Sequence, residues 1–196
     1  MNTKSLLEIL KVAGRLKAQE RHCTIREGRA ESVADHSYRL ALFAMLVAGE
    51  EEFSSLDRDK LLRMCLIHDL GEAFTGDIPT FLKTELDAGK EDAIFERWVS
   101  TFPSPQREEW EALLLEMKEQ QTKEAKLYKA LDKLEALISH NESDISTWLP
   151  LEYDLQFTYG QKECSAFSYL TELRRDVDDW SRRKIEEEKK DVDADS

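Results

Sequence analysis

Glycine and proline are scarce, 7 and 4 in a chain of 196 residues, too few for the closely spaced turns of a β-sandwich or barrel. Cysteine is scarcer still. Cys23, Cys65 and Cys164 are odd in number, far apart and in no CxxC pair, so neither a disulfide framework nor a cysteine-rich zinc site is expected. Long apolar runs are missing too. The longest, Leu40 to Gly49, falls short of the roughly 20 residues a membrane-spanning helix needs. The N-terminal segment MNTKSLLEILKVAGRLK has amphipathic helical spacing and no cleavage site, so a soluble, cytoplasmic protein without a membrane partner is expected. Basic residues are outnumbered, 28 against 41 acidic, for a formal charge of −13. That field repels nucleic acid polymers and anionic lipid.

With 41% apolar and 35% charged residues, the chain suits one globular domain with a sizeable core. Apolar residues recur at helical spacing in nearly every segment, and the fold class expected is all-α. Leu6, Leu7, Leu10, Ala13 and Leu16 mark a first helix, followed by a polar, Arg-rich connection over residues 20–32. Ser32, with Asp35 three positions on, is placed to cap a second helix running to about Gly49. A third, opened by Asp57 or Asp59, covers 57–71, and Gly76 and Pro79 punctuate the loop after it. Further helices are expected over 86–101, 105–120, 122–140 and 161–184. Residues 142–160 show no readable period, because aromatics and Pro150 interrupt it. The single domain is expected to span 1–184, with 185–196 an acidic, disordered tail.

Two of the four histidines stand where composition alone would not put them. Leu40, Phe43 and Val47 follow His36 at i+4, i+7 and i+11, so its imidazole lies on their buried face; by itself that also describes a core histidine. His68 and Asp69 close the apolar segment LLRMCLI, where an uncompensated carboxylate costs several kcal/mol. A divalent cation bound by imidazole and carboxylate offsets that cost, whereas a solvent-facing helix end avoids it. On the helix LYKALDKLEALISH, Lys126, Lys129, Lys133 and His140 cluster on one side, read as the solvent face. Asp132 shares the other flank with Ala125, Ala136 and Ser139, whose small side chains admit a neighbouring helix.

The ordered set His36, His68-Asp69 and Asp132 comes with the segments LKAQERHCTIREGRAESVADHS, HDLGEAFTGDIPT and ALDKLEAL. Together they resemble the HD-domain metal-dependent phosphohydrolases, and more closely the YfbR-like 5′-nucleotidases, over residues 15–140. The resemblance implies an HD-domain helical bundle that acts as a homodimer. It also implies one divalent transition metal (Co, Mn, Zn, Fe or Ni, with Mg as an alternative) on those four side chains, and hydrolysis of a nucleoside monophosphate. Two imidazoles and two carboxylates leave coordination positions open for water and a phosphate oxygen.

Glu72, three residues beyond Asp69, is the candidate for proton transfer to the leaving alkoxide. Asp77, of the TGD turn, competes for that role; matching family positions suggest that both line the site, with Glu72 nearer the proton transfer and Asp77 nearer the sugar or the attacking water. Residues 15–29 carry Arg15, Lys17, Arg21, Arg26 and Arg29 against Glu20 and Glu27, a local positive excess suited to an anionic substrate. Arg21 matches the family's phosphate- or sugar-side arginine, and Arg26 and Arg29 are secondary candidates. His22 stands where the family's deoxynucleotidases are expected to carry Trp. An imidazole is smaller and offers a hydrogen bond, so ribose and deoxyribose both stay open, with His22 either a substrate contact or a surface residue. Two other readings stay open as well. One is an HD phosphohydrolase of a triphosphate, an alarmone or a cyclic dinucleotide; HDLGEA lacks the acidic pair expected of alarmone hydrolases. The other is a non-catalytic module with a structural metal. The stripes Phe95–Trp98–Phe102, Trp110–Leu113–Met117 and Phe167–Leu170–Val177–Trp180 read as core or subunit interface.

Overall fold

The protein is described by a computed structural model covering residues 1–25 and 28–194; Arg26 therefore lies outside the described residues. Helices dominate, as their apolar spacing predicts. Helix α1 (Thr3–Ala13) continues into a short 3₁₀ turn, Gly14–Ala18. Residues 20–32 are not a plain connection. They form an antiparallel hairpin of β1 (Glu20–Thr24) and β2 (Ala30–Ser32), with Glu20 opposite Ser32 and Thr24 opposite Ala30. Strands this short carry almost no alternation signal, and only Cys23 of β1 is buried.

Helix α2 (Val33–Val47) starts at the expected capping box: Ser32 Oγ accepts from the Asp35 amide at 3.1 Å and Asp35 accepts from the Ser32 amide at 2.9 Å. Helix α3 (Arg58–Ile67), capped by Asp57, stops before the expected Gly71. His68 and Asp69 occupy the turn between it and the short helix α4 (Glu72–Thr75). Then follow α5 (Glu85–Val99), α6 (Gln106–Glu119) and α7 (Lys123–Glu142), the last capped by Thr122. The unreadable segment holds a 3₁₀ turn, Ile145–Thr147, and α8 (Glu152–Thr158). Helices α9 (Gln161–Cys164) and α10 (Ser168–Ala194) complete the chain. Helix α10 runs through most of the segment set apart as a tail, where Glu186 precedes Lys189 and Lys190 by the spacing that supports a solvated helix.

Helices α2, α3 and α7 pack on one another, and α10 packs on the back of α7. Leu40, Leu61, Met64, Leu127, Leu131 and Leu134 are fully buried between them, each contributing on the order of 2 kcal/mol of hydrophobic stabilisation. The consequence for the site is geometric. His36 from α2, the turn after α3 and Asp132 from α7 all meet at one end of this three-helix core. Two glycines shape that end. At Gly71 an added Cβ would sit 2.9 Å from Glu91 Cγ, so α5 closes tightly over the turn. Gly76, at φ +77 and ψ 165, takes an extended positive-φ conformation open to glycine, and the chain turns there into Asp77. Among the described residues, no helix is long and apolar enough to cross a membrane.

Candidate metal centre

The helical stripe on α2 carries His36 into the core, where it is fully buried. Its Nδ1 meets Glu135 of α7, and its Nε2 faces the turn after α3. His68, at the end of α3, gives its Nδ1 proton to the Cys65 carbonyl at 3.0 Å, because a carbonyl can only accept. That leaves Nε2 as the nitrogen a cation would take in exchange for any proton there, and it points the same way. His36 Nε2 lies 3.2 Å from His68 Nε2, 3.2 Å from Asp132 Oδ1 and 3.8 Å from Asp69 Oδ2. His68 Nε2 lies 2.9 Å from Asp69 Oδ2 and 3.5 Å from Asp132 Oδ1. Donors held about 2.0–2.2 Å from one cation sit roughly 3–3.6 Å apart along the edges of their coordination shell. His36, His68 and Asp69 thus form a close group at separations that a single divalent ion spans, and Asp132 joins it through its contacts with both imidazoles.

The chemistry of the donor set fits such an ion. With both Nδ1 atoms engaged by Glu135 and the Cys65 carbonyl, the two Nε2 atoms converge with the two carboxylates, the nitrogen and oxygen donors such an ion takes. Positive charge is demanded there. Burial works against a charged ring at His68, yet Asp69 and Asp132 more than offset it and push the ring up to about 10. Burial alone would raise Asp132, but Lys129 and the two imidazoles hold it well below the usual carboxylate range.

Sequence reasoning missed the residues that orient this set. Glu135 is buried against His36, and its other oxygen ion-pairs with Arg39 at 2.8 Å. Buried Glu31 lies 3.2 Å from Arg21 and accepts from Ser139 at 3.0 Å. Glu135 falls one turn after Asp132 and four residues after fully buried Leu131; an acidic residue in an apolar stripe was the signal. Lys129, Lys133 and His140 were read as a solvent face. Instead they line a cavity of about 600 Å³ that opens beside the donors, and Lys129 bonds Asp132 Oδ2 at 2.8 Å. The wall of a wet, charged cavity has the same sequence pattern as an outer surface.

Arg21, from β1, reaches into this cavity and stands 3.6 Å from Asp69. His22 lies on the same wall, edge-on to Phe81 and 3.4 Å from buried Glu152, which also faces His140 at 3.6 Å. Glu72 and Asp77 line the cavity as well. Glu72 is buried, with one carboxyl oxygen that has no hydrogen-bond partner. Burial, then Asp69, Asp77 and Glu91, push it up to about 9, so it holds a proton at neutral pH. Burial likewise raises Asp77 above its ordinary value. Arg29 lies outside the cavity lining: its guanidinium pairs with Asp35 at 2.8 Å beside the cap of α2.

Comparison with known proteins agrees with this geometry. Residues 13–171 match the HD domain family. The 5′-deoxynucleotidase HDDC2 of Xenopus laevis is 36% identical over 139 residues, 69% of this chain and 67% of that protein. Its human counterpart is 32% identical over 143 residues, 71% and 68% of the two chains. The 5′-deoxynucleotidase hdd1 of Schizosaccharomyces pombe is 29% identical over 177 residues, 86% and 82% of the two. In fold, a predicted metal-dependent phosphohydrolase from Magnetospirillum magnetotacticum superposes with a TM-score of 0.76 at 24% identity, over 92% of this chain and 93% of its own. An apolar three-helix core that gathers two histidines and two aspartates at one end, and the match across most of its length, place the chain in the HD-domain family.

Proposed function

We propose that this protein is a metal-dependent phosphomonoesterase that releases phosphate from (deoxy)ribonucleoside 5′-monophosphates. The observation that carries the reading is the convergence of His36, His68, Asp69 and Asp132, the last three lining a cavity that buried Glu72 also lines. Relatives named 5′-deoxynucleotidase support the substrate class. His36 and His68, through Nε2, and Asp69 and Asp132 would hold the ion, with Co, Mn, Zn, Fe or Ni suiting the mixed nitrogen and oxygen donors and Mg as an alternative. A divalent cation bound there supplies Lewis acidity toward a phosphoryl oxygen and a lowered pKa for water.

The remaining work falls to side chains. Glu72 keeps its proton because burial and neighbouring carboxylates disfavour its charge, and it donates that proton to the departing ribosyl oxygen. Asp77, across the TGD turn, accepts a hydrogen bond from the sugar or from the attacking water. Arg21 is fixed by Glu31 and Asp69, and offers its remaining N–H groups to the phosphate or sugar side. His22, with Phe81, forms the wall against the nucleoside, and its imidazole can bond a ribose hydroxyl. A homodimer in the cytoplasm belongs to the same proposal.

The test is a substrate panel. Protein stripped with a chelator and reloaded with each metal in turn is assayed for phosphate release from nucleoside mono- and triphosphates, an alarmone and a cyclic dinucleotide. Release from monophosphates is expected, and Glu72→Ala should lose it while retaining metal. Metal retention with no turnover of any phosphoester would favour a structural metal instead.

A further inference from the structure

We propose that Lys129 is a substrate-binding residue that takes a phosphoryl oxygen of the monophosphate beside the metal donors. The inference rests on the phosphomonoesterase reading and adds to it a residue that neither the motif nor the sequence pattern singles out. Charge counting poses the question. A divalent cation would balance Asp69 and Asp132 in formal charge, so beyond its direct contact with an oxygen the donor centre adds little long-range attraction for a phosphate dianion. The cavity walls also carry Glu31, Asp77 and Glu91. The rest of the attraction must come from side-chain cations.

Among the described residues, Arg21, Lys83, Lys129 and Lys133 bring positive charge to the lining. Lys83 and Lys133 are committed elsewhere, and Arg21, already assigned to the phosphate or sugar side, is partly so. Arg21 is wedged between Glu31 and Asp69, its side chain 16% exposed. Lys83 lies 2.6 Å from Glu91. Lys133 lies 2.8 Å from Glu163 and over the Tyr159 ring. Lys129 differs in two ways. Its side chain is the most open of the four, at 39% exposure. Its partner is Asp132, bonded through Oδ2 while Oδ1 faces both imidazoles. The ammonium therefore stands one carboxylate away from the point where the four donors converge. An ammonium has three N–H donors; Asp132 takes one, and the others are left for a ligand in the cavity. A metal drawing on the charge of Asp132 would also loosen that carboxylate's claim on Lys129, strengthening the lysine's pull on an incoming anion.

The competing explanation is that Lys129 only holds Asp132 in place. Calorimetric titration of the metal-loaded protein with inorganic phosphate separates the two, run on wild type, Lys129→Met and Lys129→Arg alongside metal content and melting temperature. We expect Lys129→Met to keep its metal and lose about tenfold in phosphate affinity, the loss of one charge-assisted hydrogen bond. Lys129→Arg should recover most of it. In hydrolysis, Lys129→Met should raise KM for the monophosphate by a similar factor. Phosphate affinity within twofold of wild type in Lys129→Met, at saturating metal, would overturn the assignment, whether or not that variant binds metal more weakly. Wild-type protein that binds phosphate through Lys129 but hydrolyses no monophosphate would overturn the phosphomonoesterase reading and leave Lys129 as a phosphate-binding residue of the cavity.

Discussion

His36 shows how much one side chain depends on its neighbours. Its ring is oriented by Glu135, which accepts a hydrogen bond from Nδ1–H and turns Nε2 toward the other donors, and Glu135 in turn is held by Arg39. Replacing Glu135 by Gln keeps the shape and removes the charge. Metal affinity should then fall by about 10–100-fold, measured by competition with a chromogenic chelator; unchanged affinity would mean the ring needs no such support. The thiols make a second residue-scale prediction. Cys23, Cys65 and Cys164 are all buried, and burial pushes Cys23 and Cys164 up to about 11. At pH 8 the native protein should show no fast reaction with a disulfide reagent, and all three thiols should titrate once it is unfolded. A rapid native burst would show that one of them is accessible. The four donors were legible at this scale because ligand types at ordered positions are rare. Lys129 and His140 were not: the one-dimensional pattern cannot tell a polar cavity wall from the outside of the molecule.

The elements that carry the site start and stop where local chemistry dictates. Ser32 and Asp35 close the capping box of α2 next to His36, so Ser32→Ala should cost about 1 kcal/mol and lower the melting temperature by roughly 2–4 °C. A drop of much less than that would show that the β2 pairing, and not the cap, fixes the start of the helix. Helices were the legible part of the fold, since α2, α5, α6 and α7 begin and end within a few residues of their apolar periods. The hairpin was not, because β2 spans only Ala30–Ser32 and β1 buries a single side chain. The end of α3 was misplaced for a related reason. The apolar pattern runs on through Leu70, which is buried, although the backbone has already left the helix at His68, turning His68 and Asp69 toward the cavity.

At the scale of the whole molecule, a protein of charge −13 must admit an anion. It does so by concentrating Arg21, Lys83, Lys129 and Lys133 inside one cavity, where low dielectric strengthens their field relative to the surface. A cation there also ties α2, the turn after α3, and α7 together. A metal present at about a hundred times its dissociation constant stabilises the fold by roughly 2.7 kcal/mol, so reloading stripped protein should raise its melting temperature by about 5–10 °C. Asp132→Ala should show no such rise. The most direct test of the account is a titration of stripped protein with cobalt(II), followed by its visible absorption. The account predicts a ligand-field band that saturates at one equivalent per chain and is lost in both Asp69→Ala and Asp132→Ala. A spectrum like that of free aqueous cobalt, or one unchanged by either substitution, would contradict it.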